Sequence, residues 1–235
     1  MPDRQQGRRV GRRAALLQVG EKLDARDRKF RRQYAAAIRI ADVQRFAVRS
    51  AVGGVGEAAH AVAGLDTKQR LAERGDDWRD LLRTYIDALN AVVAGAPAGM
   101  TLGVHVCRSQ DASWQSDVSY EPIAKEMFGR IEVGVFFLEY DNPRAGGFEP
   151  LRLLPEGKRV VLGLMGSRDP NLETVEALRA KVDEASRYVP RERLSLSPHC
   201  GFATGLQNAN TATQDLQARK LARAVEAAKA IWGSA

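Results

Sequence analysis

The amino-acid sequence predicts an α/β protein built around a parallel sheet. Four short runs rich in apolar residues begin roughly 30 residues apart, and helical segments lie between several of them. Each run is followed by a connection of the kind that parallel strands require. The runs are nearly continuous in apolar residues, which is typical of strands that are buried on both faces of an open parallel sheet or a barrel.

The first well-defined element is a helix that begins near residue 76. Its apolar residues recur at the i, i+3, i+4, i+7, i+8 spacing of one helix face, and they are Trp78, Leu81, Leu82, Tyr85, Ile86, Leu89, Val92 and Val93. The stretch AGAPAG then ends the helix with glycine and proline. The predicted strands follow as MTLGVHVC (100–107), IEVGVFFLEYD (131–141), KRVVLGLMGS (158–167) and RLSLSPHCG (193–201).

Three further helices are predicted over roughly 120–130, 170–189 and 211–232. Asp169 and Pro170 have the pattern of a helix start, with Glu173 and Glu176 near its positive end. In the last helix the predicted buried stripe consists of Leu221, Val225, Ala228 and Ile231.

The charge of the chain is concentrated at its N-terminus. Residues 1–50 hold fourteen Lys and Arg against five Asp and Glu, a net charge of +9; because the whole chain carries +7, the remainder carries −2. Such a head can serve as an arm for nucleic acid or an anionic surface. Its acidic residues argue against an organelle-targeting leader. We expect residues 1–75 to form a basic, helical or disordered extension that is simply solvated, rather than a nucleic-acid-binding arm.

The composition excludes several classes of protein. No run approaches the roughly 18 uncharged apolar residues of a membrane span, and no cleavable signal is recognisable. Two cysteines in 235 residues do not make a disulfide framework. The sequence therefore predicts a reduced, cytoplasmic protein without a membrane partner.

Candidate metal ligands stand at the ends of three predicted strands. His105 and Cys107 are two residues apart, so they point to the same side of a strand. Glu139 follows apolar residues at the end of the next strand, where a carboxylate needs a partner. Cys200 ends the fourth strand. Because the carboxyl ends of parallel strands form one rim, these four side chains compose a set of tetrahedral Zn²⁺ ligands.

Other assignments stay open from the pattern alone. H-x-C can be a pair of half-buried strand residues. Asp141 and His199 are the runner-up ligands; Asp141, two residues beyond the glutamate, is expected rather to orient a ligand from outside the coordination sphere. His199 should point away from Cys200 if the strand continues, and His60 lies alone in a Gly/Ala-rich stretch. A disulfide or redox pair of Cys107 and Cys200 lacks any C-x-x-C motif.

The motifs HVCR, FFLEYDNPRAGGFEPLRLLPEGKRVVLGLMGS and LSPHCGFATG resemble the C-terminal catalytic barrel of the cobalamin-independent methionine synthase family and its shorter homologues. The resemblance runs from about Asp76 to Trp232. It implies a TIM-type barrel with Zn²⁺ held by His105, Cys107, Glu139 and Cys200. It also implies transfer of a methyl group from 5-methyltetrahydrofolate to the homocysteine thiol, in methionine biosynthesis. Epoxyalkane–coenzyme M transferases are close relatives with similar zinc–thiol chemistry, and no catalytic acid is assigned.

The length of the resemblance predicts an incomplete barrel. A (β/α)₈ barrel usually needs about 250 residues, whereas residues 76–235 supply about four βα units. We therefore expect a truncated or divergent family member with a partial TIM-type barrel, whose open sheet edges favour self-association. Three functions follow as hypotheses: a zinc-dependent methyltransferase, a non-catalytic zinc-binding fragment, or a nucleic-acid-associated protein.

Overall fold

The computed structural model describes residues 65–106, 119–167, 169–202 and 213–233. These residues belong to the compact unit Ile40–Ala235, and the other unit, Met1–Arg39, lies outside the described ranges. The basic extension up to residue 64 and the predicted ligand Cys107 also lie outside them. Predictions about those residues stay predictions.

The described strands form one parallel sheet, as predicted. The strands are β1 (Gly103–Val106), β2 (Val135–Glu139), β3 (Arg159–Met165) and β4 (Leu194–Pro198), and they lie in the order of the sequence. All three neighbouring pairs are parallel. The α/β class and the four strand positions are thereby confirmed.

Five α-helices accompany the sheet in the described ranges. They are α1 (Leu65–Glu73), α2 (Trp78–Ala94), α3 (Glu121–Arg130), α4 (Val175–Ala185) and α5 (Gln214–Trp232). Short 3₁₀ segments cover Pro143–Ala145, Glu149–Leu153 and Arg191–Arg193. Helix α2 begins where Asp77 accepts a hydrogen bond from the Arg79 amide, which satisfies one of the unpaired N–H groups of its first turn. Among the described helices, none is long and apolar enough to cross a bilayer.

One face of the sheet packs against helices and forms the core. Its alternate residues are all buried: Val104, Val106, Phe136, Leu138, Val160, Leu162, Leu194 and Leu196. Phe136 meets Phe128 of α3 edge to face, with ring centroids 5.0 Å apart. Each such buried side chain contributes about 1.5–3 kcal/mol relative to exposure. This packing fixes which residues of the strands point to the opposite face, where the candidate ligands lie.

Helix α4 begins later than the sequence predicts. Thr174 is its N-cap and accepts a hydrogen bond from the Ala177 amide. Asp169 does not open the helix; its carboxylate accepts from the amide and side chain of Asn171, which closes a turn before it. The carboxylate of Glu173 does not cap the helix either, because it accepts hydrogen bonds from the Gly166 amide and the Lys220 ammonium.

The buried face of α5 also differs from the predicted stripe. Leu216, Lys220, Ala227 and Ile231 are buried, whereas Leu221, Val225 and Ala228 are only partly buried. The buried face includes a lysine. Lys220 is wholly buried because its ammonium is hydrogen bonded inside the protein. An apolar pattern alone cannot reveal such a residue.

Candidate metal centre

Three of the predicted ligands converge at the carboxyl ends of the strands. His105 lies on β1, Glu139 is the last residue of β2, and Cys200 follows β4 by two residues. The register places His105 beside Phe137 and Glu139 beside Gly163, so these positions share one face of the sheet. Parallel strands in register therefore bring side chains that are far apart in sequence to one rim.

The three donor atoms form a small triangle. His105 Nε2 lies 3.4 Å from Cys200 Sγ and 3.6 Å from Glu139 Oε1. The Cys200 thiol donates a hydrogen bond of 2.7 Å to Glu139 Oε1. One nitrogen, one sulfur and one oxygen thus lie close together. These three atoms are a donor set that suits a borderline-soft cation.

The triangle can be tested against the dimensions of a zinc site. Tetrahedral Zn²⁺ separates its N, O and S donors by roughly 3.4–3.6 Å. The two distances that involve His105 have this length. The distance between Cys200 Sγ and Glu139 Oε1 is shorter than this spacing, so these two atoms would have to move apart by roughly 0.8 Å to hold the ion. The residues fit the metal.

Burial differs sharply among the three side chains. Glu139 is 2% exposed, whereas the His105 side chain is 34% exposed. A buried carboxylate is stable only with partners, and here a thiol and an imidazole supply them. The imidazole of His105 is therefore partly open to solvent, whereas the carboxylate of Glu139 is not.

Tyr120 holds the ends of two of these strands, and the sequence reasoning missed it. Its hydroxyl accepts the Glu139 amide hydrogen bond over 2.9 Å and lies 3.3 Å from the Val106 carbonyl oxygen. The side chain is fully buried at the start of α3. The sequence around Tyr120 does not predict this contact, because the partner residues are distant in sequence.

The predicted orienting residue Asp141 lies next to His199. Asp141 Oδ2 is 3.5 Å from His199 Nδ1, and Asp141 Oδ1 accepts from the Asn142 side chain. The His199 ring also receives the Ser167 amide at Nδ1 over 3.1 Å, and Ser167 Oγ is 3.4 Å from Nε2. Both His199 and Ser167 are buried. His199 and Asp141 therefore form a polar cluster beside the three candidate ligands.

A register shift decides which residue at the end of β4 joins the ligands. Gly163 pairs with Ser197, but Met165 pairs with Pro198, so β3 carries one extra residue there. Regular alternation from Ser197 would carry His199, not Cys200, onto the face of Glu139. Such bulges redirect side chains near functional sites. Here the thiol of Cys200 reaches Glu139 and His105 instead.

Gly163 makes this close approach possible. A Cβ at Gly163 would lie 2.6 Å from His199 Cα and 3.0 Å from the Leu138 carbonyl oxygen. Both neighbours are backbone atoms, which cannot move aside as a flexible side chain could. Only glycine lets the chain after β4 cross so near to β3.

Comparison with known proteins identifies related sequences. The family model described as "Cobalamin-independent synthase, Catalytic domain" matches residues 27–230. The uncharacterized protein YxjG of Bacillus subtilis (strain 168) is 36% identical over 72% of this chain and 44% of its own length. A methionine synthase of Pyrococcus furiosus is 29% identical over 50% of this chain and 31% of its own length. The chain thus spans less than half the length of these two relatives.

A solved structure shares the fold. It is a B12-independent methionine synthase from Shewanella sp. W3-18-1, in complex with selenomethionine. The likeness has a TM-score of 0.53 at 18% identity, and it covers 76% of this chain and 53% of that chain. The predicted membership of a TIM-barrel-type fold is confirmed by this likeness.

Proposed function

The chain belongs to the family of cobalamin-independent synthase catalytic domains, and from this premise we propose that it carries the zinc centre of a methyltransferase. The proposed reaction transfers a methyl group from 5-methyltetrahydrofolate to homocysteine, giving methionine. The observation that supports it is the convergence of the His105, Glu139 and Cys200 donor atoms at one rim of the sheet.

The proposed ligands are those three side chains together with Cys107, which lies just beyond β1 and outside the described ranges. Zn²⁺ at such a site lowers the pKa of a substrate thiol, so that thiolate is present near neutral pH. The homocysteine sulfur attacks the methyl carbon, the bond from that carbon to the folate nitrogen breaks, and the nitrogen leaves after protonation.

The protein's own contribution is to hold the ligand set and to leave it open on one side. Tyr120 fixes the ends of β1 and β2, and the polar cluster of His199 and Asp141 packs beside Cys200 and Glu139. The buried Glu139 and the partly exposed His105 define a protected side and an accessible side. A thiol substrate would approach from the accessible side.

Zinc content tests the metal centre directly. We expect about one zinc per chain in the purified full-length protein, measured by elemental analysis, because structural and catalytic zinc sites bind their ion tightly. Cys200→Ser and His105→Ala should lose it. The matched control is His60→Ala, a second histidine without a predicted ligand role, which should keep it. A zinc-free wild-type protein that also fails to take up added zinc would overturn the proposal.

Turnover tests the transfer reaction separately from the metal. We expect methionine to form from homocysteine and 5-methyltetrahydrofolate when the full chain is loaded with zinc, and Cys200→Ser to abolish this. Zinc binding without methionine formation would contradict the catalytic proposal and favour the non-catalytic zinc-binding alternative.

A further inference from the structure

A buried lysine anchors the loop that follows β3. Lys220 of α5 is fully buried, and its ammonium donates to the Asn171 carbonyl oxygen over 2.6 Å and to both oxygens of Glu173 over 3.0 and 3.2 Å. All of these acceptors belong to the rim loop, defined here as residues 166–167 and 169–174. Arg223, one turn further along α5, donates to the Glu173 carbonyl oxygen.

Glu173 also ties the two ends of the rim loop together. Its Oε1 accepts a hydrogen bond of 2.9 Å from the amide of Gly166, the first loop residue. The loop is therefore fixed to α5 at its end and folded back on its own start. Gly166 has little free space: a Cβ there would lie 3.0 Å from Asp169 Cβ and 3.8 Å from Asp141 Oδ2.

The start of the rim loop contacts the polar cluster beside the candidate ligands. Ser167 meets the His199 ring through its amide and its hydroxyl, and Gly166 lies next to the Asp141 carboxylate. His199 precedes Cys200, and Asp141 follows Glu139 by two residues. A set of contacts thus runs from Lys220 to His199 and Asp141, which are neighbours in the chain of two of the three described candidate ligands.

We propose that Lys220 and Glu173 are positioning residues for the metal centre, because they fix the rim loop against which His199 and Asp141 are held. The inference rests on the proposed metal site. Stability alone is a weak reason to keep a lysine buried in this pair, because ion pairs removed from solvent are often no more stabilising than apolar residues of similar volume. Apolar residues could not donate to and accept from the rim loop as the buried Lys220 and the partly buried Glu173 do, so an effect on the position of Cys200 and Glu139 gives this pair a role.

The test uses Co²⁺ titration of the zinc-free full chain, followed by its visible absorption spectrum. Thiolate ligation and ligand geometry determine the spectrum. We expect Lys220→Met to weaken Co²⁺ binding about tenfold, at the low end of the effect of removing a group that orients a ligand, and to alter the spectrum. Arg219→Met is the matched control on the same helix, because Arg219 is 59% exposed and pairs only loosely with Asp215, at 3.8 Å; it should behave like wild type.

A second pair of variants keeps the test decisive if Lys220→Met does not fold. Glu173→Ala removes the acceptor of the Gly166 amide and should weaken Co²⁺ binding at least as much, whereas Glu173→Gln keeps an acceptor and should restore part of the affinity. Folded variants with a lower urea midpoint but wild-type Co²⁺ affinity and spectrum would show a purely structural role and overturn the inference. If wild-type protein binds no Co²⁺, the proposed metal site itself fails.

Discussion

At the scale of single residues, the hydroxyl of Tyr120 joins parts of the chain that are far apart in sequence. It accepts the amide of Glu139 and lies within 3.4 Å of both the Val106 and the Glu139 carbonyl oxygens. The ring is buried and packs against Tyr140, with centroids 5.3 Å apart. One oxygen atom therefore satisfies polar backbone groups at the ends of both β1 and β2, where the sheet ladder stops.

Replacing Tyr120 by Phe removes that oxygen without changing the ring. We expect Tyr120→Phe to lower the free energy of unfolding by about 1–3 kcal/mol, because the buried Glu139 amide loses its hydrogen-bond acceptor. Urea denaturation measures this value. Tyr85→Phe, at a partly buried position on α2, is the control and should change stability by less than about 0.5 kcal/mol. Equal effects of the two substitutions would contradict the assigned role.

The sequence predicted the convergence of the candidate ligands better than it predicted the residues that support them. The meeting of His105, Glu139 and Cys200 at one rim could be predicted because each is a side chain capable of ligation at the end of an apolar run. Tyr120 and Lys220 could not, since both lie on helical segments and their partners are set by tertiary packing. Cys107 and the role of Asp141 stay predictions: the first lies outside the described residues, and the second is placed by the structure beside His199.

At the scale of elements, helix starts were harder to predict than strands. The strands were found because parallel strands buried on both faces are short and apolar throughout. Helix α4 was predicted to start at Asp169–Pro170 but starts after Thr174, its N-cap. The side chains on which the earlier start was predicted have other partners. Asp169 accepts a hydrogen bond from Asn171, and Glu173 accepts one from Lys220. Local patterns cannot anticipate partners that another element supplies.

A surface ion pair joins α3 to the 3₁₀ segment Glu149–Leu153. Arg152 donates to both carboxylate oxygens of Glu121, over 2.8 and 2.5 Å. These hydrogen bonds hold the pKa of Glu121 below its ordinary value of 4.5. A carboxyl group with a lowered pKa in the folded state stabilises it above the unfolded pKa, and this contribution is lost as the pH falls through the folded pKa.

Glu121→Gln should therefore destabilise the protein in a pH-dependent manner. We expect a small loss in the free energy of unfolding at pH 7, because exposed ion pairs contribute little. The difference from wild type should begin to shrink below about pH 4.5, where the unfolded carboxyl group becomes protonated. Urea denaturation at several pH values measures it. The same substitution in an Arg152→Gln background should show no such trend, and a difference independent of pH would refute the assignment.

At the scale of the whole molecule, β1 and β4 are the outer strands of the described sheet. Outer strands present backbone groups that can pair with another chain. A closed barrel of this type has eight strands, and the described sheet has four. The sequence predicted four βα units of such a barrel, and the described sheet has the four corresponding strands. The family model begins at residue 27, upstream of the boundary expected at residue 76.

Self-association through these edges is the corresponding prediction. We expect size-exclusion chromatography with light scattering to give a mass above that of one chain, rising with protein concentration, because strand pairing between chains is bimolecular. Added salt screens the charge of the basic head, and it should leave the mass unchanged if the contact is made by backbone hydrogen bonds. A monomer at all concentrations would exclude this mode of association.

The one-residue register shift between Gly163 and Met165 has a chemical consequence. The imidazole of His199 and the thiol of Cys200 are adjacent side chains, and only one of them can point to the face of Glu139. Because β3 has one extra residue, the thiol takes that position. Imidazole also suits copper, nickel and iron, whereas thiolate selects softer ions. In the proposed metal centre, the close approach of β3 and the chain after β4, which the missing Cβ of Gly163 permits, therefore favours the softer metal ions that thiolate binds.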